Sequence, residues 1–398
     1  MRILLVGDRY PPAPGGIAGH VERLAFSLRN RSHQVAVVAG AQSDRVIVED
    51  GLECTLTRIS LSKIPGVFAK GSEPVVPPWP DPALVRSIER AARRIDAEII
   101  HAHGWCEASA EVVAGRLRLP LVVTLHDYGK VCAQMSHFSG GVECDHYAGI
   151  ACIKCPGSDQ SVARRIGLTS VLRSQWRGTG VSRCGKSYLA VSTAVAERVG
   201  SVFRNTEIEV IPNFVDWVET VIEPLPAKPR VVYIGPNKAY KGVEEVRRAA
   251  AYLESWGWDG VILHAGGSGR DSSGLYEDLG RCSNDEVRTL LRASSALIAP
   301  ALYPDPCPTV VLEAMSQGRA VIASDTGGHR DIVTPEVGCL VPVGNASLLA
   351  RSIVEITRDN SRLEKMGLAG HGRVAMFSAE SVVPRIVEVY AREMFKMA

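Results

Sequence analysis

Short aliphatic runs alternate with stretches of helical period along the whole chain, and that alternation restricts the fold more than any single motif. ILLV at 3–6 is followed by an apolar stripe at Val21, Leu24, Ala25 and Leu28, and then by VAVVA at 35–39. Spacings of three, four and seven give a helix one apolar face, whereas an unbroken run of four or five apolar residues suits a strand covered on both sides. Repetition of this pair predicts parallel sheets sandwiched by helices, an α/β fold of the doubly wound type. Further strand candidates are EII (98–100), LVVTL (121–125), YLAVS (188–192), EVIP (209–212), RVVYIG (230–235), VILHAG (261–266), ALIAP (296–300) and AVIAS (320–324).

A chain of 398 residues is about twice the usual single-domain length, so two cores are expected. EPLPAKPR (223–230) places three prolines in eight residues just before a fresh strand pattern and is the linker candidate. The expected division is an N-terminal Rossmann-like domain over 1–222, a C-terminal Rossmann-like domain over 228–376, and a last helix over 377–398 with Val383, Ile386, Val387 and Tyr390 on one face. Ligands of such folds sit at the carboxyl ends of the strands, so two facing domains predict a cleft between them.

Composition excludes more than it selects. A net charge of +2 with 22% charged residues gives no global attraction for nucleic acid or membrane, and none is expected as a partner on that ground. No run approaches the ~20 apolar residues of a membrane helix, and MRILLVGDRYPP reads as a first strand, so the expected localisation is cytoplasmic. The segment 160–196 holds Arg164, Arg165, Arg173, Arg177, Arg183 and Lys186 and no acid. It could meet the inner face of an anionic membrane or a phosphorylated acceptor. Val162, Ile166 and Trp176 fall among these arginines, however, and a solvated basic surface is the simpler reading.

Three places carry chemistry suited to phosphate and sugar. Gly15 and Gly16 precede the first helix, where backbone without Cβ can approach a ligand and helix amides attract anions; the dinucleotide G-x-G-x-x-G spacing is absent. YIGPNKAYKGVEEV puts Lys241 at a helix start, from which an ammonium can cover a diphosphate. DPCPTVVLEAMSQG holds Asp305 and Glu313 on either side of a proline-rich turn leading into a helix.

With Gly327-Gly328 and the blocks PPAPGGIAGHVERLA, IIHAHG, VVTLHD and VIPNFVD, these segments resemble the retaining glycosyltransferases of family four, which have the GT-B fold. The resemblance runs over nearly the whole chain and implies an enzyme that moves a hexose-type sugar from a nucleotide-sugar, a UDP- or GDP-sugar first, to an acceptor hydroxyl or amine. It implies that Glu313 accepts from the ribose hydroxyls, Asp305 meets the transferred sugar, and the amides of Thr309 and Val310 face the diphosphate. Lys241 matches the family's phosphate-binding Lys, Gly16 its glycine-loop contact, and His126 the His that approaches sugar and diphosphate; His20 matches a frequent family His, while His101 and His103 are read as structural. Family members also return the last helix to the first domain, and their catalysis needs no divalent metal. Two departures stand out. Pro236 replaces the usual Arg, leaving Lys238 as the substitute cation, and Asp305 stands where Glu is usual. Both leave open a non-catalytic nucleotide-sugar-binding partner or sensor, or a GT-B epimerase. Cell-surface glycan, glycolipid and secondary-metabolite acceptors all remain open.

A separate insertion at about 130–160 contains Cys132, Cys144, Cys152 and Cys155 in a C-x11-C-x7-C-x2-C pattern. The C-x2-C knuckle is a common zinc spacing, and four thiolates could close a structural site, with His137 or His146 able to replace one of them. An iron–sulfur cluster, redox disulfides and unliganded thiols are the alternatives.

Overall fold

The structure, a computed structural model, describes residues 1–397 other than 14, 61–68, 71, 72, 75, 157–161, 179–185, 204, 205, 218–220, 270 and 271. It divides into two compact units. One comprises Met1–Gly140, Cys144–Asn213 and the chain from Val382, the other Gly141–Glu143 and Phe214–Ser381. The change of unit at Asn213 comes ahead of the proline-rich segment at 223–230. Arg319, fully buried, donates to the carbonyls of Glu223 (2.8 Å) and Arg292 (2.6 Å) and so pins the start of that segment to the second unit.

In the first unit an eight-stranded sheet runs in the order Ile208–Val210, Lys186–Ala190, Leu121–Leu125, Ile99–His103, Arg2–Gly7, Gln34–Ala41, Leu52–Arg58, Arg45–Glu49. Every pairing is parallel except the last. Leu121–Leu125 and Ile99–His103 are buried at all five positions, as unbroken apolar runs require when helices cover both faces. Helix Gly16–Asn30 buries the expected stripe, Val21, Leu24, Ala25 and Leu28, together with Ala18 and His20. Helix Pro82–Arg94 begins at Asp81, whose Oδ1 accepts from the amides of Ala83 (2.9 Å) and Leu84 (3.1 Å), satisfying amides with no intrahelical partner. From Arg2–Gly7 the chain builds first to one side and then to the other, so the loops after Gly7 and His103 part and leave a crevice at the strand ends.

The second unit has six parallel strands in the order Tyr276–Asp278, Val261–Ala265, Arg230–Ile234, Ala296–Ala299, Ala320–Ser324, Gly338–Val341. Its core gathers Val231, Val246, Ile262, Ile298, Ile322 and Ile353. The order reverses between Arg230–Ile234 and Ala296–Ala299, which makes their carboxyl ends the second place suited to a ligand. The fold is GT-B, with two Rossmann-like units.

Helix Ala379–Met397 buries Val382, Val383, Ile386, Val389 and Tyr390. From Val382 onward it belongs to the first unit, where Arg392 pairs with Glu209 at 3.0 Å. Of the basic stretch, residues 160, 161 and 179–185, Arg183 among them, lie outside the described residues. In helix Val162–Gly178, Val162, Ile166 and Arg173 are exposed while Leu168 and Leu172 are buried, so cationic and apolar side chains share the outer face. Among the described residues no helix is long and apolar enough to cross a membrane.

Candidate active site

The second unit positions its cation through a glycine. Strand Arg230–Ile234 leads by a short turn, Ala239–Lys241, to Gly242 at φ +83°, where a Cβ would lie 1.9 Å from the Pro300 carbonyl oxygen. Only glycine allows this approach. The amide of Leu302 donates to the Tyr240 carbonyl at 2.9 Å, which closes the same two loops together. As a result the Lys241 ammonium donates to Tyr303 Oη at 2.6 Å and to Asp305 Oδ2 at 2.7 Å, while the Tyr303 hydroxyl donates to Asp305 Oδ2 at 2.7 Å. Lys241 Nζ stands 4.7 Å from the Tyr303 ring centroid, at the hydroxyl end of the ring. Burial works against ionisation of Asp305, but Lys241, His329 and the Tyr303 hydroxyl outweigh it and hold the carboxyl below its usual range. His329 is 1% exposed. Burial lowers its basicity against the pull of Asp305, and its Nδ1 has no hydrogen-bond partner among the described residues.

The Asp305 backbone is clamped from the other side. Gly328 N–H donates to the Asp305 carbonyl at 2.7 Å, and at Gly327, φ +56°, a Cβ would fall 2.5 Å from that oxygen. Helix Thr309–Ser316 starts at Pro308 with no side-chain cap. Its first-turn amides, those of Thr309 and Val310, therefore remain suited to an anion, and Glu313, half-buried, stands one turn further on. Lys238 is exposed at the start of the Ala239–Lys241 turn, two residues from the exposed Pro236. Its ammonium is not drawn into the Lys241 cluster.

A third loop closes this end of the sheet. Asp278 accepts from the amides of Ser268 and Gly280, each at 2.9 Å, and Gly266 N–H donates to the Gly280 carbonyl at 2.7 Å. His264 lies between the Gly235 carbonyl (Nε2, 2.9 Å) and the Tyr276 hydroxyl (Nδ1, 2.6 Å). A carbonyl only accepts, so Nε2 carries the proton and Nδ1 accepts from Tyr276. The loop that carries Gly280 and Arg281 is thereby tied to the end of strand Arg230–Ile234.

The first unit collects imidazoles at its own switch point. His103 ends strand Ile99–His103, His126 follows strand Leu121–Leu125, and His20 comes from the first helix. His103 Nδ1 and His126 Nε2 share a hydrogen bond at 3.0 Å, and the His20 and His126 rings meet edge-on with centroids 4.7 Å apart. His101 is held differently: Thr124 Oγ1 (2.7 Å) and Tyr390 Oη (2.6 Å) occupy both ring nitrogens, which is the structural role expected of it. His103, read as structural from sequence, instead joins the cluster, because the parallel pairing of the two strands brings both carboxyl ends together. Asp8 accepts from the amides of Trp105 (3.0 Å) and Cys106 (2.7 Å), an approach that Gly104 at φ +89° leaves open. Gly16 is exposed, and a Cβ there would meet no atom within 4 Å.

Burial sets the protonation of this cluster. Desolvation takes His101 and His126 down to about 3 and lowers His20 and His103 well below their usual value; neighbouring imidazoles add to the shift at His20, His101 and His103, while a hydrogen bond with Asn213 opposes it at His126. It works oppositely on the carboxyls, raising Asp8 to about 7 and Asp127 to about 6, partly through each other in the case of Asp8. The two sets oppose each other in stability. On acidification from about pH 6.5 the unfolded chain protonates these four imidazoles while the folded chain does not, so stability falls. Over the same window the folded chain alone takes up protons at Asp8 and Asp127, which resists the fall. Four sites against two leave the unfolded state ahead. The urea midpoint of the first unit is accordingly expected to be lower at pH 5 than at pH 7; a midpoint that rises on acidification would mean the carboxyls dominate.

Two groups could hold a metal. Ligand atoms of His20, His103 and His126 lie within 4.8 Å of one another, the group of that kind found among the described residues. The four cysteines of the insertion are unpaired and partly exposed, but their sulfurs do not reach that mutual distance. Residues that sequence reasoning missed are Tyr303, His329, Asp8 and Asp127. Tyr303, two residues before Asp305, had the nearest signal.

Two parallel Rossmann-like sheets, each with polar side chains gathered at its switch point, are the architecture of GT-B glycosyltransferases. The family model described as Glycosyltransferase Family 4 matches residues 14–217, more than half of the chain, and the model for Glycosyl transferases group 1 matches residues 221–373. The chain belongs to glycosyltransferase family 4, and it is a transferase. Among its relatives is the phosphatidyl-myo-inositol mannosyltransferase of Mycobacterium leprae, 25% identical over 98% of this chain and 96% of that protein. The sucrose-phosphate synthase of Thermosynechococcus elongatus shares the fold with a TM-score of 0.72 at 19% identity, covering 100% of both chains. Anabaena HepE in complex with UDP superposes with a TM-score of 0.65 at 17% identity, covering 98% of this chain and 100% of that one.

Proposed function

We propose that this chain transfers a hexose-type sugar from a nucleotide-sugar, a UDP- or GDP-sugar, to an acceptor hydroxyl or amine with retention of anomeric configuration. The observation that carries the reading is the Lys241 ammonium, held between Tyr303 and Asp305 at the carboxyl ends of strands Arg230–Ile234 and Ala296–Ala299. In this reading Lys241, with the amides of Thr309 and Val310, neutralises the departing diphosphate, so the transfer needs no divalent metal. Lys238, exposed nearby, supplies the second positive charge in place of the Arg that Pro236 replaces. Glu313 accepts from the ribose hydroxyls and Asp305 from hydroxyls of the sugar; an acceptor-only carboxylate matches a vicinal diol. His126 steadies the sugar and diphosphate as a neutral imidazole, consistent with a basicity lowered to about 3 by burial. Gly16, exposed at the first helix, leaves room for a ligand.

Retention follows if the acceptor attacks on the face the leaving group departs from, with the phosphate oxygen accepting the acceptor proton. No enzymic nucleophile is then required. UDP bound to HepE, a structural neighbour, supports a nucleoside diphosphate as the recognised group. The mannosyltransferase relatives, named for a phosphatidyl-inositol acceptor, support a hexose and make a glycolipid reached from the cytoplasmic face of a membrane one acceptor to try.

Calorimetric titration with UDP, GDP, ADP and dTDP tests the donor half of this reading. One nucleotide is expected to bind selectively, with Lys241→Ala and Glu313→Ala each weakening it by about tenfold or more, the usual cost of losing a charged hydrogen-bond partner. Binding of none would favour a protein-partner role for the chain; binding with donor conversion but no acceptor requirement would favour an epimerase.

A further inference from the structure

The insertion after strand Leu121–Leu125 is built without a core of its own. From residue 138 to residue 156 only Ala148 is buried, and the regular structure is two two-residue strands, Phe138–Ser139 and Val142–Glu143, and a four-residue helix, Ile150–Ile153. Val142 and Ile150 are 64% and 76% exposed, and Phe138, Tyr147 and Ile153 are no more than half-buried. A segment this small needs a staple, because burial cannot offset the entropy of ordering it.

The chain gathers the staple's four donors into one lobe, with their sulfurs spread wider than a bound metal would hold them. Backbone hydrogen bonds draw the four cysteine-bearing pieces into one lobe: Cys144 N–H to the His137 carbonyl at 2.8 Å, Ala148 N–H to Val131 at 3.0 Å, and Cys155 N–H to Cys152 at 3.4 Å. None of the four cysteines is paired in a disulfide. The His146 amide donates to Cys144 Sγ at 3.4 Å. Amides two residues beyond a cysteine that point at its sulfur stabilise the charged form a metal requires. The histidines are turned to other work. His137 is buried between the rings of Tyr128 and Tyr147, each centroid at 5.5 Å, and the His146 ring sits beside Asp145 on the surface.

We propose that Cys132, Cys144, Cys152 and Cys155 bind one structural Zn²⁺ as four thiolates and that the ion orders this lobe. Binding releases the four thiol protons to solvent and involves no change of oxidation state. Zn–S bonds of about 2.3 Å set the sulfurs about 3.8 Å apart, so the Cys155 thiol, which now contacts Gln134 Nε2 at 2.8 Å and Ser139 Oγ at 3.3 Å, swings inward on binding. The site lies entirely within the first unit and is independent of the proposed donor chemistry.

The test is elemental analysis of the full-length protein purified under reducing conditions, with thiol alkylation before and after chelation. One zinc per chain is expected, lost in both Cys152→Ser and Cys155→Ser and kept in Cys339→Ser, with four thiols becoming reactive only after chelation. If the serine variants do not fold, the alkylation count on the wild-type chain decides alone. Cobalt exchange is expected to give the visible spectrum of a tetrahedral thiolate site. Iron with a coloured cluster, a disulfide by mass under non-reducing conditions, zinc retained in both serine variants, or four thiols freely alkylated without chelation would each overturn the assignment.

Discussion

Replacing Lys241 by alanine is expected to lower the turnover of nucleotide-sugar by about 10²–10³, the cost typical of removing one preorganised donor from a developing negative charge. The expectation rests on how little freedom the ammonium has. Gly242 wedges the Lys241 turn against Pro300, and Tyr303 and Asp305 fix the ammonium at 2.6 and 2.7 Å. A diphosphate arriving at the Thr309–Ser316 end of the strands would meet a charge already oriented, so little reorganisation is left for the transition state. Lys241→Arg is expected to recover only part of the loss, since the longer planar guanidinium cannot occupy the point from which a compact ammonium reaches both Tyr303 Oη and Asp305 Oδ2. Asp305→Asn separates two roles of the carboxylate. It keeps the shape but frees Lys241 from its ion pair, so nucleotide affinity is expected to hold or rise while sugar transfer falls. The measurement is release of nucleoside diphosphate from the donor whose diphosphate binds in calorimetry, with a thermal melt for each variant to separate chemistry from folding. Wild-type turnover in a folded Lys241→Ala chain would remove this residue from the reaction.

The strands that could be read from sequence are those whose burial on both faces leaves an unbroken apolar run. LVVTL and AVIAS became Leu121–Leu125 and Ala320–Ser324 with every residue buried. The ones that escaped notice lie toward the sheet edges. LECTLTR alternates because its strand, Leu52–Arg58, is followed outward only by the exposed Arg45–Glu49, and Tyr276–Asp278 has three residues, too few to show a period. The candidate site was legible in the same uneven way. Lys241 and Asp305 were found one at a time by their local motifs, but their ion pair, 64 residues apart in sequence, exists only because the strands that precede them are neighbours in a parallel sheet. The imidazole cluster is a sharper case. His20, His103 and His126 come from a helix and two strand ends, and no spacing links them. His101 and His103 lie on the same face of one strand, their rings 4.1 Å apart, and position along the strand separates them: Thr124 and Tyr390 occupy both nitrogens of His101, while His103, at the carboxyl end, meets His126.

Glu107→Gln is expected to destabilise the first unit by about 3–5 kcal/mol, the cost of breaking a buried charge cluster by removing one partner. The side chain of Glu107 is 2% exposed and faces two ammoniums, Lys186 at 2.6 Å and Lys130, while the Tyr188 hydroxyl donates to it at 2.8 Å. Burial penalises its charge, yet the two lysines overcome that and hold the carboxyl down at about 2, so it is ionised throughout the physiological range. Glutamine preserves the volume and one acceptor but leaves two largely buried cations, 11% and 14% exposed, to be balanced by Glu111, at 2.8 Å from Lys186, and by Asp127 near Lys130. For a domain of this size the loss corresponds to a fall of roughly 6–20 °C in the melting temperature of the first unit. Glu111→Gln is the control. Glu111 is 40% exposed, solvent screens its pair with Lys186, and removing it is expected to cost less than about 1 kcal/mol. The cluster also reaches beyond its own helix, because Lys130 lies two residues before Cys132, where the cysteine-bearing lobe leaves the sheet. Releasing Lys130 should therefore loosen the lobe at its root, and Glu107→Gln is expected to speed alkylation of Cys132 relative to Cys54, a buried thiol of the same unit on a strand at the far side of the sheet. Equal acceleration at both cysteines would mean that the whole unit opens and that Glu107 serves the fold in general.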